Sequence, residues 1–265
     1  MQIMRSIKNP IIKPKDIKPS RPDFEVIGAF NAGVARLNDE IILLVRIAER
    51  PINTKSNIYL SPIFNPATNK VTLKEFSIGQ EGYDFSDSRE IVTPDGRYLT
   101  SLSHLRIARS KDGINFDIAE KPSLFPANEY EAYGIEDARI VMIDGIFYIS
   151  YSAISDRGIV TYLVSTSDFS TFARKGIIFH PDNKDATIFP EKINGKYYAL
   201  HRPSTLRFGQ PEIWIAESPD LLCWGNHRHL MGIRESCWDN GRVGSSAIPF
   251  KVPGGWLEIY HDKPF

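Results

Sequence analysis

The sequence has little cysteine. Cys223 and Cys237 are two in 265 residues, too few for a disulfide scaffold, and neither stands at a metal-binding spacing. It has no net charge either. Its 32 Lys and Arg balance 32 Asp and Glu, which argues against the basic footprint of a nucleic-acid binder or of a protein docked on anionic lipid. No apolar run approaches the roughly 20 residues of a membrane-spanning helix. The opening MQIMRSIKNP holds no apolar stretch of signal-peptide length. The six histidines lack ligand spacing, with His227-Arg228-His229 in a polar stretch, so no metal is expected. Helical periodicity is nearly absent, which argues against a helix bundle or a TIM barrel. A cytoplasmic protein is expected, with no membrane or nucleic-acid partner. Self-association into a homo-oligomer is compatible with the sequence.

What is abundant is punctuation. Gly and Pro number 18 each, and they bound short runs in a repeating pattern. Five segments share an apolar run, a tight turn and a second apolar or aromatic run: NAGVARLNDEIILLVR, DSREIVTPDGRYLTSL, EDARIVMIDGIFYISY, ATIFPEKINGKYYALHR and SSAIPFKVPGGWLEIYH. Their turns fall at Asp39, Asp95, Asp144, Asn194 and Gly254, spaced 56, 49, 50 and 60 residues apart. Asp-Gly, Asn-Gly and Gly-Gly between such runs mark β-hairpins. A second block recurs after three of them: ARSKDGINF, VSTSDFSTF and AESPDLLCW align without gaps on Asp112, Asp168 and Asp220. Each reads as a strand leading into an aspartate-anchored turn closed by an aromatic.

One hairpin plus further strands in about 54 residues is the size of a propeller blade of four strands. The expected fold is therefore all-β, a single five-bladed β-propeller domain over residues 1–265. Its fifth blade is short at the C-terminus, and residues 1–28 are available to supply a closing strand. Trp214, Trp224 and Trp256 read as packing between strands. Tyr83, Tyr130 and Trp238 are candidates for stacking on a sugar ring.

In each hairpin, the start of the first strand and the end of the second meet at the end opposite the turn. Counting back eight residues from each turn gives Asn31, Asp87, Glu136, Ala186 and Ser246. Counting forward seven or eight reaches Arg46, Tyr151, Ser152, His201, Arg202 and His261. Polar residues thus gather at equivalent places, expected to share one rim of a central channel. The densest cluster is GIEDAR, residues 134–139, with two carboxylates and Arg139 before an apolar run; Asp87-Ser88-Arg89 repeats its acid–x–arginine pattern. A structural ion pair is the plain alternative for either. The stretch His180–Asp185 with His201, Arg157 and Arg139 gathers cations beside these acids. That combination suits an anionic co-substrate, for which phosphate is the obvious candidate.

GIEDAR, NKDATIFPEKINGKYYALHRP and RVGSSAIPFKVPGGWLEIYH resemble glycoside hydrolase family 130, which holds β-mannoside phosphorylases and a branch of β-mannosidases. The resemblance runs from about Asn9 to His261 and implies a five-bladed β-propeller. It implies that Asp137 is the single catalytic acid. Asn31, Arg46, Asp87, Arg89, Glu136 and Arg139 match positions near the non-reducing mannose, and Arg157, Lys184 and His201 match cationic positions that hold phosphate. Basic residues at Lys184 and His201 favour the phosphorylase branch. Ala138 stands where proline is usual, and the chain ends soon after Tyr260-His261-Asp262, where the family continues. The implied reaction is inverting phosphorolysis of a mannobiose or mannooligosaccharide to α-mannose 1-phosphate, with inorganic phosphate as co-substrate and no cofactor. In the family the proton is thought to pass through the mannose 3-hydroxyl. One acid suffices, because phosphate arrives as an anion and needs positioning and charge neutralisation, whereas water needs a second carboxylate as base. Two other readings stand beside it. One is a β-mannoside hydrolase with Asp87 or Glu136 as base; the other is a glycan-binding propeller without turnover.

Overall fold

The structure, a computed structural model, describes residues 5–204 and 208–263. The chain divides into two compact units, Met1–Glu136 and Asp137–Phe265, and both are built from β-strands.

In the first unit, β1 (Phe24–Leu37) and β2 (Glu40–Pro51) form a long antiparallel hairpin. Asn38 takes φ +55° in its turn, a conformation that Asn tolerates because its short side chain bonds locally. Two separate hairpins follow, β3 (Ile58–Asn65) with β4 (Lys70–Ser77) and β5 (Glu90–Thr93) with β6 (Gly96–Leu99). Then β7 (Leu102–Ser110) pairs antiparallel with β2, Val45 facing Arg106, and β8 (Asp117–Ile118) lies on β7. The sequence repeat places β7 with the β5–β6 hairpin; in the structure it is the third strand of the first sheet. Burial explains the difference. All but one residue of β7 is buried, as is the middle of β2. Two such strands satisfy each other, whereas β5 and β6 are four residues long with Gly96 and Arg97 exposed. Leu43, Val45, Ile47 and Ala108 form a core with Ile12 and Ile17. Residues 5–23 hold no strand, and 24–28 belong to β1.

Strand β9 (Gly134–Ile143) begins at the end of the first unit and continues in the second, where it pairs with β10 (Ile146–Ser155). β11 (Gly158–Thr166) and β12 (Ala173–Phe179) extend the sheet in sequence order. A four-stranded antiparallel sheet repeats this order: β13 (Asn183–Ile188), β14 (Tyr197–Pro203), β15 (Ile213–Ser218) and β16 (Gly225–Met231). Val141, Leu163, Phe179, Ile188, Ala199 and Ala216 pack as one core, with Trp224 against it. β17 (Val243–Ser245) then pairs with β20 (Tyr260–Asp262), and β18 (Phe250–Val252) with β19 (Gly255–Leu257). Trp256 and Tyr260 cover a further core of Phe189, Leu200, Ile213 and Val243. The hairpin turns fall where the sequence places them.

The aspartate turns repeat atom for atom. Asp112, Asp168 and Asp220 each accept from the backbone N–H groups two and three residues on. Ser110, Thr166 and Ser218 hydroxyls accept from the amides of those aspartates and of the next residue. Backbone N–H donors hold Asp112 and Asp220 below the ordinary carboxylate range; Asp168, bonded first by the Ser170 hydroxyl, falls to about 2.

Candidate active site

The site residues are built on strand irregularities. In β1 the register slips between Phe30 and Gly33, opposite Arg46, and Asn31 takes φ +50°. In β9 Asp137 takes φ +54°; in β13 Asp185 takes φ +53°, where the register slips between Lys184 and Thr187. Three first strands of hairpins therefore carry an Asn or Asp in the left-handed region. Asx side chains pay least for that conformation among non-glycine residues, and such positions cluster at functional sites because they re-aim a side chain.

In the first unit, Gly134 explains the start of GIEDAR. It pairs with Ser103, at φ +112°, and a Cβ there would lie 2.7 Å from Ser103 N and 2.8 Å from Ser103 O. Only glycine permits that approach, which delivers Glu136 to Arg46. The Arg46 guanidinium pairs with the buried Glu136 carboxylate, donates to Ser103 Oγ at 3.0 Å and lies 4.8 Å from the centre of the Phe30 ring. Asn31 is exposed beside this group. Asp87 and Arg89 bond each other, Nη2 to Oδ2 at 2.5 Å, with Arg89 largely exposed. The repeated acid–x–arginine pattern is here a local pair.

Below them lies a cluster that sequence reading missed. Glu49, His104 and Arg106 are all buried, with Glu49 Oε1 at 3.1 Å from His104 Nε2 and 3.3 Å from Arg106 Nη2. Burial pushes His104 down; it also works to raise Glu49, but His104 and Ser20 outweigh it and hold Glu49 low. No periodicity in the chain marks three residues that meet through burial.

In the second unit Asp137 is half-buried. Arg139, placed by the sequence near the sugar, turns back on the backbone. Its Nη1 donates to the carbonyls of Asp137 at 3.2 Å and Ala138 at 3.3 Å, and its Nη2 to Ser245 O at 3.5 Å. Arg139 thus braces the left-handed turn that carries Asp137. Next to it Asp185 is paired with Arg202 (Nη2 and Nε each 2.8 Å from Oδ2), and His261 Nε2 lies 3.4 Å away. His261 Nδ1 meets Ser246 Oγ at 2.9 Å. Burial works to raise Asp185, but the His261 hydrogen bond and the charges of Arg202, His261 and Arg139 win and hold it far below the usual range. A Cβ on Gly244 would come within 2.2 Å of Asp185 Oδ2, so this glycine makes room for the pair. Glu258 behaves oppositely. Both its oxygens are buried and neither meets a donor in hydrogen-bonding geometry among the described residues. Burial raises it to about 7, and Ser245, the Ser246 amide and Arg139 offset only part of that.

The expected phosphate cations divide. Arg157 is exposed in the β10–β11 turn, the end of β10 away from the Asp144 turn. Asp182 Oδ1 accepts from Ile159 N at 2.7 Å, which ties that turn to the segment two residues before Lys184. Lys184 is half-buried and faces Arg202 in register. His201 does not have the cationic character expected of it. Its ring is buried, stacked on Phe179 at 4.4 Å and 9°, with Nδ1 2.9 Å from Asn183 Nδ2 and Nε2 3.0 Å from His227 Nδ1. Burial, then the neighbouring His227, pushes its pKa down to about 3. A cation there would be desolvated with no counter-ion among these partners. Among the described residues, no group of three or more His, Cys, Asp or Glu is placed to hold a metal ion.

The second unit thus carries Asp137 on a left-handed turn whose carbonyl Arg139 holds, with the Asp185–Arg202 pair and His261 close to that arginine. The pattern of the family described as beta-1,4-mannooligosaccharide phosphorylase matches residues 97–264. The Beta-1,2-mannobiose phosphorylase of Listeria innocua is 51% identical over 98% of this chain and 75% of its own length. A 1,2-beta-oligomannan phosphorylase from Thermoanaerobacter sp. is 42% identical over 64% of this chain and 56% of its own length. The solved Listeria innocua enzyme in complex with beta-1,2-mannobiose superposes with a TM-score of 0.96 at 50% identity, covering 100% of this chain and 76% of that one. The chain belongs to glycoside hydrolase family 130.

Proposed function

We propose that the chain phosphorolyses β-mannosides, β-1,2-mannobiose being the first substrate to test, with inversion to α-mannose 1-phosphate. The observation that carries this is the identity of 51%, over 98% of the chain, to a protein described as a Beta-1,2-mannobiose phosphorylase. Asp137 is the acid for the leaving oxygen, while Arg46, Glu136 and Asn31 hold the non-reducing sugar. Lys184 and Arg157 supply positive charge for phosphate, which attacks the opposite face. His201 contributes as a neutral group. Hydrolysis is the weaker reading: its candidate bases, Asp87 and Glu136, each already bind an arginine.

The fold we propose is a single five-bladed propeller domain. The two sheets of sequential order in the second unit and the regular hairpin spacing support it. No helix among the described residues is long and apolar enough to cross a membrane. The two exposed free cysteines suit a reducing cytoplasm. The test is incubation with β-1,2-mannobiose and β-1,4-mannobiose, with and without inorganic phosphate. Formation of mannose 1-phosphate only with phosphate supports the reading. Free mannose released at the same rate without phosphate overturns it.

A further inference from the structure

Val26, Ala29 and Ala32 all pack on the core of the first sheet, with Leu43, Val45 and Ile47. A regular strand turns every second side chain to one face, so residues three apart share a face only where an extra residue is inserted between them. β1 has that insertion twice. Its register against β2 slips between Val26 and Gly28 and again between Phe30 and Gly33. Between the slips Gly28, Ala29 and Phe30 pair regularly with Ala48, Ile47 and Arg46. Ala29 and Ile47 face the core, so Gly28, Phe30 and Arg46 share the opposite face.

On that face Phe30 is 42% exposed, yet the Arg46 side chain beside it is only 17% exposed. The guanidinium carbon lies 4.8 Å from the centre of the ring, within the range of a cation–π contact. Gly28 accounts for the position of the ring. Glycine weakens the interior of a strand, and this one has no positive φ to require it. A Cβ there would lie 2.1 Å from Phe30 Cε1, 3.0 Å from Cδ1 and 3.1 Å from Cζ. The missing side chain is therefore the space that the ring occupies. Arg46 must present Nη2 to Glu136 and Nε to Ser103 Oγ at once. Its long side chain has many rotamers, and an aromatic face beside the planar group narrows them.

We propose that Phe30, seated on Gly28, is a positioning residue of the reaction site: its ring sets the attitude of the Arg46 guanidinium, and through it the grip of Arg46 on the non-reducing sugar. The step from Arg46 to the sugar rests on the function proposed above; the seat of the ring and its hold on Arg46 do not.

The test records the Arg46 Nε–H resonance in the full chain, with an Arg46→Lys sample to identify it. Steady-state phosphorolysis of β-1,2-mannobiose and thermal unfolding are measured beside it. In Phe30→Leu and in Gly28→Ala the resonance should move and exchange faster with water. KM for the mannobiose should rise about 3- to 30-fold in both, with kcat within about twofold. Phe30→Tyr keeps an aromatic face and should keep both readouts near those of the parent. Combining Phe30→Leu with Gly28→Ala should cost no more than the larger single change, because both act through one ring. A resonance that neither variant moves overturns the hold on Arg46. A KM left unchanged while the resonance moves overturns its link to the sugar, and a Tyr variant as impaired as the Leu variant overturns the aromatic role. A lower melting temperature with KM unchanged marks Phe30 as packing and overturns the proposal. Failure of the phosphorylase reading shows up differently: the parent turns nothing over, while the Arg46 resonance still responds to both variants.

Discussion

Asp185 and Glu258 are two carboxyl groups of one unit, both shielded from water, both within the field of Arg139, and they titrate in opposite directions. Burial raises each. Asp185 meets Arg202 and His261 in hydrogen-bonding or ion-pair range and stays ionised. Glu258 meets no well-placed donor among the described residues and holds its proton towards neutrality. The contrast shows that burial alone does not set charge in this site; the count of donors aimed at each oxygen does. Asp137 is a third acid beside Arg139, whose Nη1 donates to the Asp137 backbone carbonyl at 3.2 Å.

The largest expected effect separates Asp137 from the other two. Asp137→Asn keeps a residue that tolerates φ +54° and so should leave the melting temperature nearly unchanged, while mannobiose turnover falls roughly 10²–10⁴-fold. Steady-state rates beside thermal unfolding check both halves; near-normal turnover removes Asp137 as the acid. Asp185→Asn should do the reverse. It leaves Arg202 buried without its counter-ion, at a cost of about 3–5 kcal/mol by denaturant titration, and a loss below 1 kcal/mol would show that the pair is not the anchor described.

Gly244→Ala reaches the same pair from outside. Its methyl would meet Asp185 Oδ2 at 2.2 Å, so a destabilisation of about 1–3 kcal/mol is expected. An unchanged unfolding midpoint would contradict the close approach. The smallest effect is the pH dependence of Glu258. A folded-state pKa raised to about 7 from 4.5 gives stability that is fully present below pH 4.5 and is lost as pH rises through 7. Glu258→Gln should therefore raise the melting temperature at pH 8 and change it little at pH 5. For Asp185 the sign is opposite, because its lowered pKa gives stability present above the unfolded value and lost as pH falls through the folded one. Equal pH responses in Glu258→Gln and the parent protein would erase the contrast.

The hairpins were legible because a turn is a local event. Asn38, Asp144 and Asn194 at positive φ, two of them followed by glycine, need no distant partner. The aspartate turns at Asp112, Asp168 and Asp220 were legible for the same reason: every donor lies within three residues. So was the meeting of Lys184 with Arg202 and of Ser246 with His261 at the ends of their own hairpins, since antiparallel pairing dictates it. The pairing of β7 with β2 was not, because it joins residues about 60 apart through their shared need for cover.

Residue identity by itself therefore determined the all-β class, the hairpin positions and the family. Tertiary structure alone decided which partners the charged residues meet. Arg139 donates to backbone carbonyls; the buried His201 bonds Asn183 and His227, with no counter-ion among those partners. Glu258 keeps its proton while Asp185 loses it. Charge state is a balance between desolvation and the donors that other strands bring, and that sum exists only after the strands have met.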